Sequence, residues 1–151
     1  MQWAIIDGIV DIVTGEGPIV TDRLYELYVR ASGGNRVGKN IRHALDQATT
    51  AAVRRGLLQQ IGDGISRQPG QTLHLPGTPP VILRRRGDRE LEHIPPTEVA
   101  TLTRHILGQD TSISDGELKR LLLTAYERAR LTSNASDFLD DCITLARRSG
   151  R

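Results

Sequence analysis

Residues 17–60, GPIVTDRLYELYVRASGGNRVGKNIRHALDQATTAAVRRGLLQQ, limit the fold of this chain more than any other stretch. Two apolar rhythms of helical period are parted by Gly33-Gly34 and closed by Gly56. Leu24, Leu27, Tyr28 and Ala31 recur at i, i+3, i+4 and i+7, a stripe that must be buried against something. Ile41, Ala44, Leu45, Ala48 and Ala52 form the inner face of a longer helix expected from about Val37 to Arg55. Gly56 is the residue type that a left-handed position after a helix selects, and Arg54 and Arg55 suit the negative end of the helix dipole. Thr21 or Asp22 can cap the shorter helix. A short helix, a glycine turn and a longer helix is the layout of a helix-turn-helix.

The flanking chain extends this unit. Residues 3–13 predict a first helix with Trp3, Ile6, Ile9, Val10 and Val13 inward, widened by Ile5 and Ile12, and with Asp7 and Asp11 opposite. After the long helix, Leu58–Ile61 and Ile65–Arg67 flank Gly62-Asp63-Gly64, a hairpin signal, and Gln71–Leu75 is a further extended piece. Three helices and a hairpin predict a winged helix over residues 1–75. Residues 76–96, framed by PGTPP and IPPTE, predict a connector lying along that unit, with a strand over Val81–Arg86. Three more helical stretches follow in residues 97–151. The first has Val99, Leu102, Ile106 and Leu107 inside. The second has Leu118, Leu121, Leu122 and Ala125 inside and is capped by Ser114 or Asp115. The third has Phe138, Leu139, Cys142, Ile143 and Ala146 inside. The expected class is mainly α with a small β hairpin (α+β), a winged helix-turn-helix followed by a second helical unit of the same kind. Aromatics are only 3% of the chain, so Leu, Ile, Val and Ala must build the core, and they suit helices better than a large sandwich.

The second unit reads as a divergent repeat of the first. A displacement of 94 residues brings 11 of 38 positions into identity, among them Leu24 with Leu118, Asn40 with Asn134, Leu45 with Leu139 and Asp46 with Asp140. The outer faces differ. Arg36, Asn40, His43, Gln47, Thr50 and Arg54 on the first long helix correspond to Arg130, Asn134, Asp137, Asp141, Thr144 and Arg148 on the second. Two aspartates replace His43 and Gln47, so the second face is expected to repel phosphate where the first attracts it.

Net charge is only +2, but it is unevenly spread. Residues 17–60 hold seven Lys/Arg against three Asp/Glu, and residues 110–141 hold four against seven. The single cysteine, Cys142, excludes an intramolecular disulfide and fits a reducing cytoplasm. No apolar run reaches the length of a membrane span, and MQWAIIDGIVDIV lacks the basic region of a signal peptide.

Most candidate chemistry dissolves on spacing. Gly33 to Asn40 nearly spells a phosphate loop, but that loop needs a preceding buried strand and a Ser/Thr where Asn40 stands. Asp115 with Glu117 and Lys119 mimics a nuclease set, yet those residues fall in a helical stripe. His43, His74, His93 and His105 lack zinc spacing, and no cofactor or metal is expected. A cluster of Glu90, Glu92 and His93 reads as a solvated loop. The outer face of the long helix carries the strongest signal. Asn and Gln can read adenine bidentately, Arg can read guanine, and Thr can touch a thymine methyl. The candidate DNA contacts are Arg36, Lys39, Asn40, Arg42, His43, Gln47, Thr50 and Arg54, with Arg67 on the hairpin. Arg55, and the run Arg84-Arg85-Arg86 with Arg89, offer further phosphate contacts or a solvated surface.

The run Ile9–Gln60, with EGPI at Glu16–Ile19 and NRVGKNIRHAL at Asn35–Leu45, resembles a bacterial domain of unknown function. That domain lies at the C-termini of large superfamily-one helicase proteins, often beside a restriction-endonuclease-like domain. An Arg-rich connector at Leu83–Arg89, the IPPTE segment at Ile94–Glu98 and a helical tail at Gly108–Gly150 continue the likeness. The resemblance implies a DNA-associated accessory module, with ATPase and nuclease chemistry on other domains, and no catalytic residues of its own. The chain is then an excised domain or a stand-alone relative. The expected function is non-catalytic binding of duplex DNA, with helicase or nuclease domains as partners in cis or in trans. The competing reading is a docking or dimerisation module in which the polar helix face packs on such a partner or on a second copy.

Overall fold

The computed structural model describes residues 2–62, 71–128 and 130–149. It divides into two compact units, one from residues 2–62 and 71–80 and the other from residue 81 onward. The first unit runs α1 (Gln2–Glu16), β1 (Ile19–Val20), α2 (Thr21–Ala31), α3 (Lys39–Arg54), β2 (Gln59–Ile61) and β3 (Thr72–His74). The strands form an antiparallel sheet in the order β1-β3-β2, with Leu73 of β3 paired to Ile19 on one side and Gln60 on the other. β1 is two residues long, too short for periodicity to signal. Residues 63–70 fall outside the described residues, and with them the expected turn at Gly62–Gly64 in part and the expected strand Ile65–Arg67.

The core of this unit joins Ile6, Ile9 and Val13 of α1 to Leu24 and Tyr25 of α2, Leu45, Ala48 and Ala52 of α3, and Leu73 of the sheet. Six positions differ from the expected stripes. On α2 the buried set is Leu24, Tyr25 and Val29, while Ala31 is exposed. Tyr25 can go inside because its hydroxyl donates to Asp46 Oδ1 at 2.6 Å and lies 3.2 Å from Thr49 Oγ1, both on α3. Arg23 follows it inward because its guanidinium forks onto both oxygens of Glu16, at 2.7 and 2.6 Å. Ile41, expected inside, is 45% exposed, since the buried stripe of α3 starts one turn later at Leu45. Trp3, also expected inside, is 58% exposed, because the buried stripe of α1 starts at Ile6.

Both helix ends around the turn close as their glycines require. Gly33 and Gly56 take φ of +87° and +76°. In each case that residue's N–H and the next one reach back to the last carbonyls: Gly33 to Arg30 and Gly34 to Val29, then Gly56 to Val53 and Leu57 to Ala52.

The second unit runs from a 3-10 turn (Leu91–His93) through α4 (Pro96–Gln109), α5 (Asp115–Ala125) and α6 (Ser133–Ser149). Residues 76–96 do not act as one connector along the first unit. Residues 76–80 group with the first unit, but Leu91 and Ile94 are fully buried with Val99, Leu118, Leu122 and Leu139 in the second core. Val81–Arg86 form no strand. Leu121 and Ala125 of α5, expected inside, are exposed, and Leu123 is buried instead. Ser114 caps α5, its hydroxyl accepting from the Glu117 N–H at 3.2 Å.

The three long helices of the two units follow in the same order, while among the described residues only the first unit has a sheet. A displacement of 94 residues carries Thr21–Ala31 onto Asp115–Ala125, and the first residues of α1 and α3 onto those of α4 and α6. It also carries Gly33 onto Glu127, the one described non-glycine residue with positive φ (54°). The link between the second and third helices is kept with new chemistry. Tyr25 to Asp46 becomes Lys119 to Asp140, at 2.6 Å.

Candidate nucleic-acid interface

The residues of interest sit on α3 and the turn before it. Leu45, Ala48 and Ala52 point into the core. That leaves Arg36, Lys39, Asn40, His43, Gln47, Thr50 and Arg54 exposed, with Arg42 half-buried. The alternating steps of three and four put Asn40, His43, Gln47, Thr50 and Arg54 on one face, as 3.6 residues per turn dictates, while Arg36, expected on that face, lies in the turn before α3. Arg67 lies outside the described residues.

The charges on this face are of two kinds. Arg42 is engaged within the unit: its guanidinium is 3.1 Å from Asp22 Oδ1 and 5.4 Å from the centre of the Tyr25 ring. Arg36, Lys39 and Arg54 form no ion pair among the described residues. Lys39 opens α3, where the dipole favours anions over cations, so its charge does not serve the helix itself. The helix N-cap is Gly38, which offers no side-chain oxygen to the first-turn amides. These amides and Lys39 therefore share one helix start, with Arg36 three residues ahead of it in the chain. Asp46 is the acid on the face, and its carboxylate is bonded to the Tyr25 hydroxyl. Burial, and then that hydrogen bond, push the Tyr25 phenol above its ordinary pKa.

Along its C-terminal half α3 borders an open groove of about 450 Å³, lined by Gln2 of α1 and by His43, Asp46, Gln47, Thr50, Arg54 and Arg55. Arg55 lies with its guanidinium 4.2 Å from the centre of the Trp3 ring. Sequence periodicity alone hid this pair, because Trp3 fits the apolar rhythm of α1. Its position one turn ahead of Ile6 was the available signal.

Three arginines of the run Arg84–Arg86 and Arg89 are engaged within the second unit. Arg86 donates to the carbonyls of Tyr126 (2.6 Å), Arg89 (3.0 Å) and Glu127 (3.1 Å), closing the C-terminus of α5. Arg89 is 4% exposed and forks onto Glu98 at 3.0 and 3.3 Å, and Glu98 also accepts from the Tyr126 hydroxyl at 3.1 Å. Arg85 pairs with the exposed carboxylate of Glu127 and holds its pKa below the usual range. Burial first, and the Glu98 charge second, raise the Tyr126 phenol.

The weaker motifs find structural places. The phosphate-loop-like glycines form the turn after α2, where a Cβ on Gly34 would meet Val29 Cγ1 at 2.8 Å. Lys119 of the nuclease-like set is held by Asp140 and Ser136. Glu92 pairs with Arg128 at 3.9 Å. Among the described residues no three His, Cys, Asp or Glu side chains gather as metal ligands, and no helix is long and apolar enough to cross a membrane. No family model, curated protein or solved structure matches the chain.

Proposed function

We propose that the first unit is a winged helix that binds duplex DNA without catalysis, with α3 lying in the major groove. One observation carries the reading: the polar face of α3 is open to solvent while its apolar face is buried, and Arg36, Lys39 and Arg54 on or beside it have no acidic partner among the described residues. Element order and the β1-β3-β2 sheet favour the winged helix, with β2 and β3 as the stem of its wing. A helix of 16 residues is about 24 Å long, and a major groove about 12 Å wide accepts it end-on or along its length. Arg36, Lys39 and the first-turn amides would hold phosphate, and Asn40, His43, Gln47 and Thr50 would face base edges. The resemblance of Ile9–Gln60 favours an accessory role beside helicase or nuclease domains.

Titration of a labelled 20-base-pair duplex at several salt concentrations tests this. Affinity should fall with a log–log slope of about −0.9 for each phosphate neutralised. Absence of binding at low salt defeats the proposal. Ile41 and Leu57, 45% and 39% exposed, favour a second reading in which the same surface docks on a protein partner. A stable complex with a helicase fragment, and none with DNA, would select it.

A further inference from the structure

Trp3 is the only tryptophan of the chain, and it is 58% exposed on the first turn of α1. Desolvating an indole is strongly favourable, so leaving one in water is costly for the protein alone. Arg55 covers the ring at 4.2 Å, a cation–π contact that holds it in place. The residue is more than half exposed even with Arg55 against it. Arg55 and Gln2, the neighbour of Trp3, also line the groove that runs along α3 past Arg54, Thr50 and Gln47. An exposed aromatic ring held by one of the cations that line a hydrogen-bonding groove is the recipe for holding single-stranded nucleic acid. Bases stack on the ring, and the cations follow the backbone.

We infer that Trp3, set by Arg55, is a stacking platform for an unpaired nucleobase, so that the protein favours duplex ends with a single-stranded overhang over uninterrupted duplex. The Asp46 carboxylate, which also lines the groove, can accept from the N3–H of an unpaired thymine. The inference rests on α3 binding the adjoining duplex.

The single tryptophan makes the site its own reporter. The full chain is titrated with a blunt 20-base-pair duplex and with the same duplex carrying a four-thymine overhang at either end, following affinity by labelled DNA and Trp3 by its emission. The overhang should bind roughly 5- to 150-fold tighter than the blunt duplex, the range a stacked base provides, and should quench Trp3. Trp3→Ala should bind both duplexes equally, and Trp3→Phe should restore part of the preference. Circular dichroism of each variant checks folding, and the wild-type emission change requires no variant. Equal affinity for blunt and overhang duplexes, an unmoved Trp3 signal, or a preference that survives in Trp3→Ala would each overturn the inference alone. Failure to bind the blunt duplex at low salt overturns the duplex reading and the inference with it.

Discussion

Replacing Arg89 with methionine isolates the buried charge on which the second unit is pinned. Arg89 and Glu98 are 4% and 3% exposed, and Glu98 accepts from both the guanidinium and the Tyr126 hydroxyl. Arg89 also donates to the backbone carbonyls of Arg85 (2.8 Å) and Arg86 (3.1 Å). Arg89→Met keeps the bulk but leaves the Glu98 carboxylate without its cation. Breaking one side of a buried pair costs about 3–5 kcal/mol. Cys142, fully buried in the same core and the only cysteine, gives the assay. A thiol reagent in excess labels it when the unit opens, at a rate set by the opening equilibrium. The loss should speed labelling about 150- to 5,000-fold. Tyr126→Phe, which removes one neutral donor, should cost about 1 kcal/mol and speed it about fivefold. The double variant Arg89→Met/Glu98→Leu should label more slowly than Arg89→Met alone, because no unpaired carboxylate is left inside. Less than tenfold acceleration in Arg89→Met, or a double variant worse than the single, refutes the view that burial makes this pair costly to break.

Three further outcomes are expected. Replacing Arg36 and Lys39 with alanine should weaken duplex binding across all sequences and reduce the salt slope by about 2, whereas Arg85→Ala, whose partner is Glu127, should leave the slope unchanged. Gly56→Ala has open space for its Cβ but a φ of +76°, so a loss of about 1 kcal/mol in urea unfolding is expected. Both buried phenols have a raised pKa in the folded state, so the unfolded state loses its protons first as pH rises past the ordinary value of 10.0. Stability is then full below that pH and falls as pH climbs toward the folded values, and Tyr25→Phe and Tyr126→Phe should each flatten that decline in unfolding curves taken from pH 8 to 11.

Sequence alone determined the parts whose physics is local. Gly33 and Gly56 marked the helix ends, Ser114 marked a start, and Leu45, Ala48 and Ala52 marked the inner face of α3, because backbone sterics, end groups and a 3.6-residue period leave their trace within a few neighbouring positions. The 94-residue displacement aligns helix starts for the same reason, since each start is set by local rules. Only tertiary structure decided which polar groups could go inside. Tyr25 and Arg23 are buried because Asp46 and Glu16 come from other helices to meet them, and Arg86 and Arg89 turn from a basic surface run into internal ties because Glu98 and the end of α5 lie within reach. It also decided that Trp3 and Ile41 stay outside, since an apolar rhythm continues past the point where the core stops. The cost of burying a polar group depends on partners far away in the chain, and no local pattern records them.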